Sequence, residues 1–261
     1  MPECVEVEIV RRRLERLVTG RRLTGVEILD PRLGHWNGSR GRVAAVRRHG
    51  KTLLVELEGG PTLALRLSMS GCLLEEVPYR RIADRPPRLV LDFEGCRVQM
   101  LDPRRLGRLW KPRGSLPGWD VLAHRNSSAL PEPFEALSRA SHARLKSFLM
   151  DQRRVAGLGN AYANEILFSA GISPLRRASS LTRRERALLW EAIRRVLSRG
   201  LRAGGISMRN FFHPDGTRGR FQNYFRIYRK KPGAPCGRCA GAIRVRMLAQ
   251  RSTFWCPRCQ K

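Results

Sequence analysis

Four cysteines near the C-terminus constrain this chain more than any other feature. Cys236-Gly-Arg-Cys239 and Cys256-Pro-Arg-Cys259 are two Cys-x-x-Cys knuckles separated by sixteen residues. At this spacing each knuckle can supply two thiolates to one tetrahedral ion. Thiolate softness selects zinc over magnesium or calcium. With sulfur in all four positions no coordination site remains for a substrate, so one structural Zn2+ is expected. It would contribute folding energy directly to a segment too short to bury a core. Two disulfides would use the same residues, but residues 1–20 carry glutamates and arginines where a secretion signal needs an apolar stretch, which favours zinc. A ribbon of this kind points to nucleic acid as the partner class and leaves the reaction open. The remaining cysteines, Cys4, Cys72 and Cys96, are scattered and are expected as small buried apolar residues.

The charge balance points to the same partner. Lys and Arg number 51 against 22 Asp and Glu, a formal net charge of +29, far beyond what solubility requires. Only six of the basic residues are lysines, so part of the excess reflects an arginine-rich composition, and its distribution matters more than its total. From Gly216 to Lys261 there is no acidic residue, while arginines and lysines recur throughout. A cationic end of this kind suits counterion release from phosphates. A membrane surface would also attract it, but no amphipathic helix with an apolar anchoring face accompanies the charge. The expectation is a cytoplasmic protein that acts as a monomer, without a membrane partner, long enough at 261 residues for two ordinary domains.

Periodicity divides the chain. Residues 3–18 place Val7, Val10, Leu14, Leu17 and Val18 at helical spacing, with acids early and bases late as the helix dipole prefers. From Leu23 to Trp110 short alternating runs separated by Gly and Pro turns predict strands at 43–46, 52–57, 62–67, 89–93 and 97–101, an antiparallel sandwich or barrel. Prolines and glycines over 113–141 read as a linker. Helical spacing returns at 143–151, 161–170, 182–200 and roughly 207–212, with Thr182 and Glu185 placed as a capping box. From about Phe225 the chain reads as a β-hairpin around the cysteines. The expected divisions are 1–112, the linker 113–141, a helical domain 142–224 and the zinc finger 225–261.

Pro2 has an ordinary explanation as the start of a helix. It has a second one, because removal of Met1 would leave a secondary amine beside the Glu3 carboxylate. An α-amine titrates near pH ~8, so a neutral, nucleophilic fraction exists under physiological conditions. The surrounding residues decide between the two. MPECVEVE resembles the MPELPEVE opening of the formamidopyrimidine-DNA glycosylase and endonuclease VIII family. Five further stretches match in family order: RRHGKTLLVEL around Lys51, LSMSG around Met69, LDPRRLG at 101–107, LMDQRRVAGLGNAYANEILFSAGISP at 149–174 and the QRSTFWCPRCQK ending. Together they span essentially the whole chain.

The resemblance implies an α+β fold: an N-terminal helix and antiparallel β-sandwich, then a helix-two-turn-helix domain and a C-terminal four-cysteine zinc finger, with Cys236, Cys239, Cys256 and Cys259 as ligands. It implies a bifunctional glycosylase and lyase of base excision repair, acting on double-stranded DNA that carries damaged bases or abasic sites. By position, Pro2 is the nucleophile, Glu3 the acid/base, Lys51 and Arg251 phosphate contacts at the everted nucleotide, and Glu6 and Glu165 supporting carboxylates. Asn160 would hold a phosphate at a helix start, where simple N-capping is the compatible alternative. Met69, Arg104 and Leu106 would fill the gap left in the base stack.

Several positions depart from the family pattern. Leu106 stands where phenylalanine is usual, Cys4 and Val5 replace leucine and proline, and a common histidine pair is missing around Pro86-Pro87-Arg88. Arg220 stands where the loop over the everted base commonly carries an aromatic residue. An 8-oxoguanine or formamidopyrimidine lesion is the first expectation. The alternatives are an enzyme directed to oxidised pyrimidines or crosslinks, and a non-catalytic damaged-DNA-binding descendant.

Overall fold

The structure is a computed structural model that describes residues 2–38, 40–76, 86–208 and 211–261. The chain divides into two compact units, Met1–Leu116 with Ala203–Gln222, and Pro117–Arg202 with Asn223–Lys261.

The first unit opens with helix α1 (Cys4–Val18), whose stripe Val7, Val10, Leu14 and Val18 is buried. Eight strands follow: β1 (Arg22–Ile28), β2 (Gly41–His49), β3 (Thr52–Leu57), β4 (Leu63–Arg66), β5 (Cys72–Glu75), β6 (Leu89–Phe93), β7 (Cys96–Leu101) and β8 (Arg108–Trp110). They pair antiparallel in the order β5-β7-β6-β1-β2-β3-β4-β8. The two four-stranded halves meet where β1 and β2 share only the pairs Arg22–Arg42 and Leu23–Gly41. Alternate side chains of both halves, with the α1 stripe, enter one apolar core, which is how a sandwich buries two sheet faces at once. Cys4 and Cys72 are buried and Cys96 is half-buried, as small apolar residues would be.

The segment after residue 202 is not the helix expected at 207–212. Residues 205–208 and 211–213 are extended or irregular, and Arg209 and Asn210 lie outside the described residues. Gly204 and Gly205 have φ of +71° and +73°, a left-handed backbone that breaks a helix and that glycine adopts at little cost. Hydrogen bonds hold the segment within the first unit: the Ile206 N–H donates to Glu6 Oε1 at 2.8 Å and the Glu75 N–H to the Pro214 carbonyl at 2.8 Å.

The second unit holds β9 (Trp119–Asp120), α2 (Glu132–Arg139), α3 (Leu145–Met150), β10 (Val155–Ala156), α4 (Asn160–Ala170) and α5 (Arg183–Arg202). The stretch 113–141, expected as a linker, therefore carries structure, because its aromatic residues have a core to enter. Trp119 and Phe134 pack with Trp190 at ring separations of 5.6 and 5.8 Å. Helix α5 begins with the expected box, in which the Thr182 N–H donates to Glu185 and the Glu185 N–H to Thr182 Oγ1. The chain ends in the hairpin β11 (Arg244–Leu248) and β12 (Arg251–Trp255). No described helix is long and apolar enough to cross a membrane.

Candidate active site and nucleic-acid interface

Each unit presents one group of the sequence-predicted residues. In the first, Pro2 is buried directly ahead of α1. Glu3 is the N-cap, and its carboxylate accepts the Glu6 N–H while Glu6 accepts the Glu3 N–H, the latter at 2.7 Å. This capping box satisfies two of the donors a helix start leaves open. The other oxygen of Glu6 takes the Ile206 N–H. That approach needs glycine at 205, where a Cβ would stand 2.8 Å from Glu6 Oε1. Glu3 and Glu6 are 2 % and 0 % exposed, so two carboxylates are fixed in a poorly hydrated place beside the chain's first residues. Met1 lies outside the described residues.

Lys51 occupies the turn between β2 and β3. Burial depresses the pKa of its ammonium group below the usual lysine range, against the opposing pull of the negative charge on Glu3 and Glu6. Lys51 thus belongs electrostatically to the same cluster as the Pro2 end of α1.

Met69 lies in the turn between β4 and β5, and Arg104 and Leu106 in the turn between β7 and β8. Met69 is 37 % and Leu106 43 % exposed, unusual for large apolar side chains in so well packed a unit and suited to a partner. Arg104 is exposed as well, while its backbone N–H donates to Ser70 Oγ at 3.1 Å.

In the second unit, Asn160 is the first residue of α4 and Gly159 is its N-cap. The capping expected of Asn160 is therefore absent, and its Oδ1 lies 3.3 Å from Asn164 Nδ2. Asn164 in turn accepts the Phe254 N–H of β12 at 2.8 Å, tying the helix start to the zinc hairpin. Glu165 uses both oxygens on the N–H groups of Arg226, Ile227 and Tyr228, at 2.8 to 3.1 Å. Burial raises its pKa, with those three hydrogen bonds opposing. Its visible work is to anchor the strand of chain that enters the finger.

Arg251 is exposed at the first position of β12. It lines a hollow of about 280 Å³ with Lys146, Ser147, Met150, Asp151 and the hairpin turn Leu248–Gln250. Lys146 was not marked by the sequence reading. It is 1 % exposed and donates to the Ser252 carbonyl at 2.8 Å and Thr253 Oγ1 at 2.9 Å. A lone cation inside the apolar run Leu145–Met150 was the signal that could have revealed it.

The sulfurs of Cys236, Cys239, Cys256 and Cys259 all lie within 4.8 Å of one another. Cys236 and Cys259 are 3.8 Å apart and Cys239 and Cys256 3.5 Å. These separations are too long for disulfides. Four sulfurs about 2.3 Å from a tetrahedral zinc would stand about 3.8 Å from each other, so the donor set fits one structural zinc. Among the described residues the buried core around it is small, Phe168, Ile227, Cys236, Ile243 and Cys256, little apolar burial for a fold of this length.

Comparison with known proteins places these features. Three family models match: the formamidopyrimidine-DNA glycosylase N-terminal domain over residues 1–109, the formamidopyrimidine-DNA glycosylase H2TH domain over 123–211, and the zinc finger found in FPG and IleRS over 233–261. The formamidopyrimidine-DNA glycosylase of Pelotomaculum thermopropionicum is 38% identical over 279 residues, covering 100% of this chain and 99% of its own. That of Thermus thermophilus is 40% identical over 271 residues, covering 100% and 98%. Among solved structures, the MutM (Fpg) protein of Thermus thermophilus superposes with a TM-score of 0.84 at 36% identity, covering 99% of this chain and 98% of its own. Lactococcus lactis Fpg in complex with abasic-site DNA gives 0.83 at 27%, covering 99% of each chain. MutM in complex with DNA containing carbocyclic 8-oxo-G gives 0.81 at 28%, covering 100% of each.

Proposed function

The chain belongs to the formamidopyrimidine-DNA glycosylase family, and on that premise we propose that it excises an oxidised base of the 8-oxoguanine or formamidopyrimidine type from double-stranded DNA and then cuts the abasic site by β,δ-elimination. The observation that carries this reading is the head of α1, where Pro2 precedes two buried carboxylates locked together by the Glu3–Glu6 box. Once Met1 is removed, the Pro2 amine attacks C1′ of the damaged nucleotide and the base departs. Glu3 exchanges a proton with the sugar ring oxygen as the ring opens, giving an iminium between Pro2 and C1′. Loss of the C2′ proton expels the 3′ phosphate, and a second elimination expels the 5′ phosphate.

Lys51 in the first unit and Arg251 and Asn160 in the second hold phosphates, Arg251 through a guanidinium fork that matches phosphate oxygens. Met69, Arg104 and Leu106 fill the space the base leaves. Zinc holds the hairpin that carries Arg251. The protein acts as a monomer. Two similar proteins are solved in complex with abasic-site DNA and with DNA containing carbocyclic 8-oxo-G, which supports the lesion class proposed.

A panel of duplexes, each with one oxidised purine or pyrimidine, tests the reading. The expected products are the free oxidised purine and a one-nucleotide gap with phosphate at both ends. Release of oxidised pyrimidines alone would move the assignment to the alternative that exposed Arg220 leaves open. Binding without any release would leave a damage sensor.

A further inference from the structure

In the first unit, the two turns that carry Met69, Arg104 and Leu106 hold non-glycine residues in the left-handed region, Ser68 at φ 55° and Arg105 at φ 56°. Such conformations persist only where the surroundings over-determine them. Here a run of hydrogen bonds leads from Arg105 to its neighbour Arg104. Arg105 Nε and Nη2 donate to Asp30 at 2.6 and 2.7 Å. Arg88 Nε donates to Asp30 Oδ2 at 2.6 Å, and Arg88 Nη1 to Asp102 Oδ2 at 2.8 Å. Asp102 Oδ2 also accepts the N–H groups of Leu106 and Gly107, at 2.8 and 2.7 Å. Its Oδ1 accepts the Ser70 hydroxyl, whose oxygen in turn accepts the Arg104 N–H.

Asp30, Ser70, Arg88 and Asp102 are all more than nine-tenths buried, so they lie beneath the exposed side chains and not among them. Arg88 is the cation between two buried carboxylates. Without it Asp102 would lose its cation in a poorly hydrated space while Asp30 kept the exposed Arg105, and removing one partner from such a set is more disruptive than never having had it. Arg88 Nη2 has no partner among the described residues, so the guanidinium is committed to bridging the two aspartates.

We propose that Arg88 is a positioning residue: acting through Asp30 and Asp102, it locks the two turns into one platform and thereby sets where Met69, Arg104 and Leu106 stand when a nucleotide leaves the duplex. This rests on the gap-filling reading of those three residues. Excision of a stacked base needs the gap filled, whereas strand scission at a pre-existing abasic site has no base to evert.

The test is single-turnover kinetics on two duplexes, one bearing the oxidised base that the unmodified protein releases fastest and one bearing a preformed abasic site. Arg88→Met is expected to slow base release about tenfold, since an ångström of misplacement is enough for such a loss. Scission at the abasic site is expected to stay within about twofold. Ser70→Ala cuts the tie between the turns without touching a charge, and a smaller loss in the same direction keeps the test decisive should Arg88→Met not fold. In an R104A/L106A background Arg88→Met should add little, because only Met69 is left to place. Equal slowing of both reactions, or the same slowing in that background, would overturn the proposal. So would an unimpaired Arg88→Met beside a slow R104A/L106A protein. An R104A/L106A protein as fast as the unmodified one would remove the gap-filling reading and this proposal with it.

Discussion

Glu8 shows how single residues set the stability of the α1 end of the molecule. Burial pushes its carboxyl up, but hydrogen bonds from Arg11 and Arg12 and the charges of Arg11 and Arg48 more than offset this and hold it at about 2. Because that value lies below the ordinary 4.5, the stabilisation is complete above pH ~4.5 and disappears as pH falls through about 2. Glu8→Gln should therefore lower the urea unfolding free energy at pH 7 by up to about 3 kcal/mol, and by progressively less as pH falls from about 4.5 towards about 2. A loss independent of pH would contradict the assignment. At the other end of the chain, Ala249 and Gln250 form the two-residue turn between β11 and β12 with φ of 46° and 57°, where a hairpin usually places Asn and Gly. Ala249→Gly should raise the stability of the zinc-loaded protein by about 1 kcal/mol, read from its urea midpoint. Neither effect was legible in the sequence. Glu8 reads as one more acid on a polar helix face, and Ala249 looks like an ordinary strand residue until the register places it in the turn.

The elements were legible where periodicity was local. The stripe of α1, the strands β3 and β6 and the capping box of α5 fall within a residue or two of their sequence expectation, because side-chain spacing alone defines them. What failed were segments whose structure comes from distant partners. Roughly 207–212 has helical spacing, but just ahead of it Glu6, two hundred positions away, claims the Ile206 N–H. The proline-rich stretch before α3 looked like a linker, yet Phe134 is fully buried against aromatic rings from elsewhere in its unit. The zinc finger is the opposite case, since Cys spacing announces it regardless of neighbours. With so small an apolar core, its fold should depend on the metal. Chelation is expected to abolish the tertiary signal of Trp255 and the affinity for duplex DNA, and readdition of zinc to restore both. Retention of a folded hairpin after complete metal removal would show that packing alone suffices.

For the whole molecule, the sequence conveyed the family and the partner class more clearly than the target. Net charge of +29 and an acid-free end follow from phosphate binding in general, and any DNA-binding enzyme could share them. Glu3 and Lys51 were marked by position, and the structure supplies the physical link between them in the coupling of Lys51 to the buried carboxylates. The lesion is not legible from either, because the base that the proposed site would receive belongs to neither sequence nor fold. The proposed covalent step is independent of that choice. Incubation with an abasic-site duplex in the presence of borohydride should trap one protein–DNA adduct, mapping by mass to Pro2 in a chain that has lost Met1. An adduct on Lys51, or none at all from protein with a free Pro2 amine, would contradict the proposed chemistry.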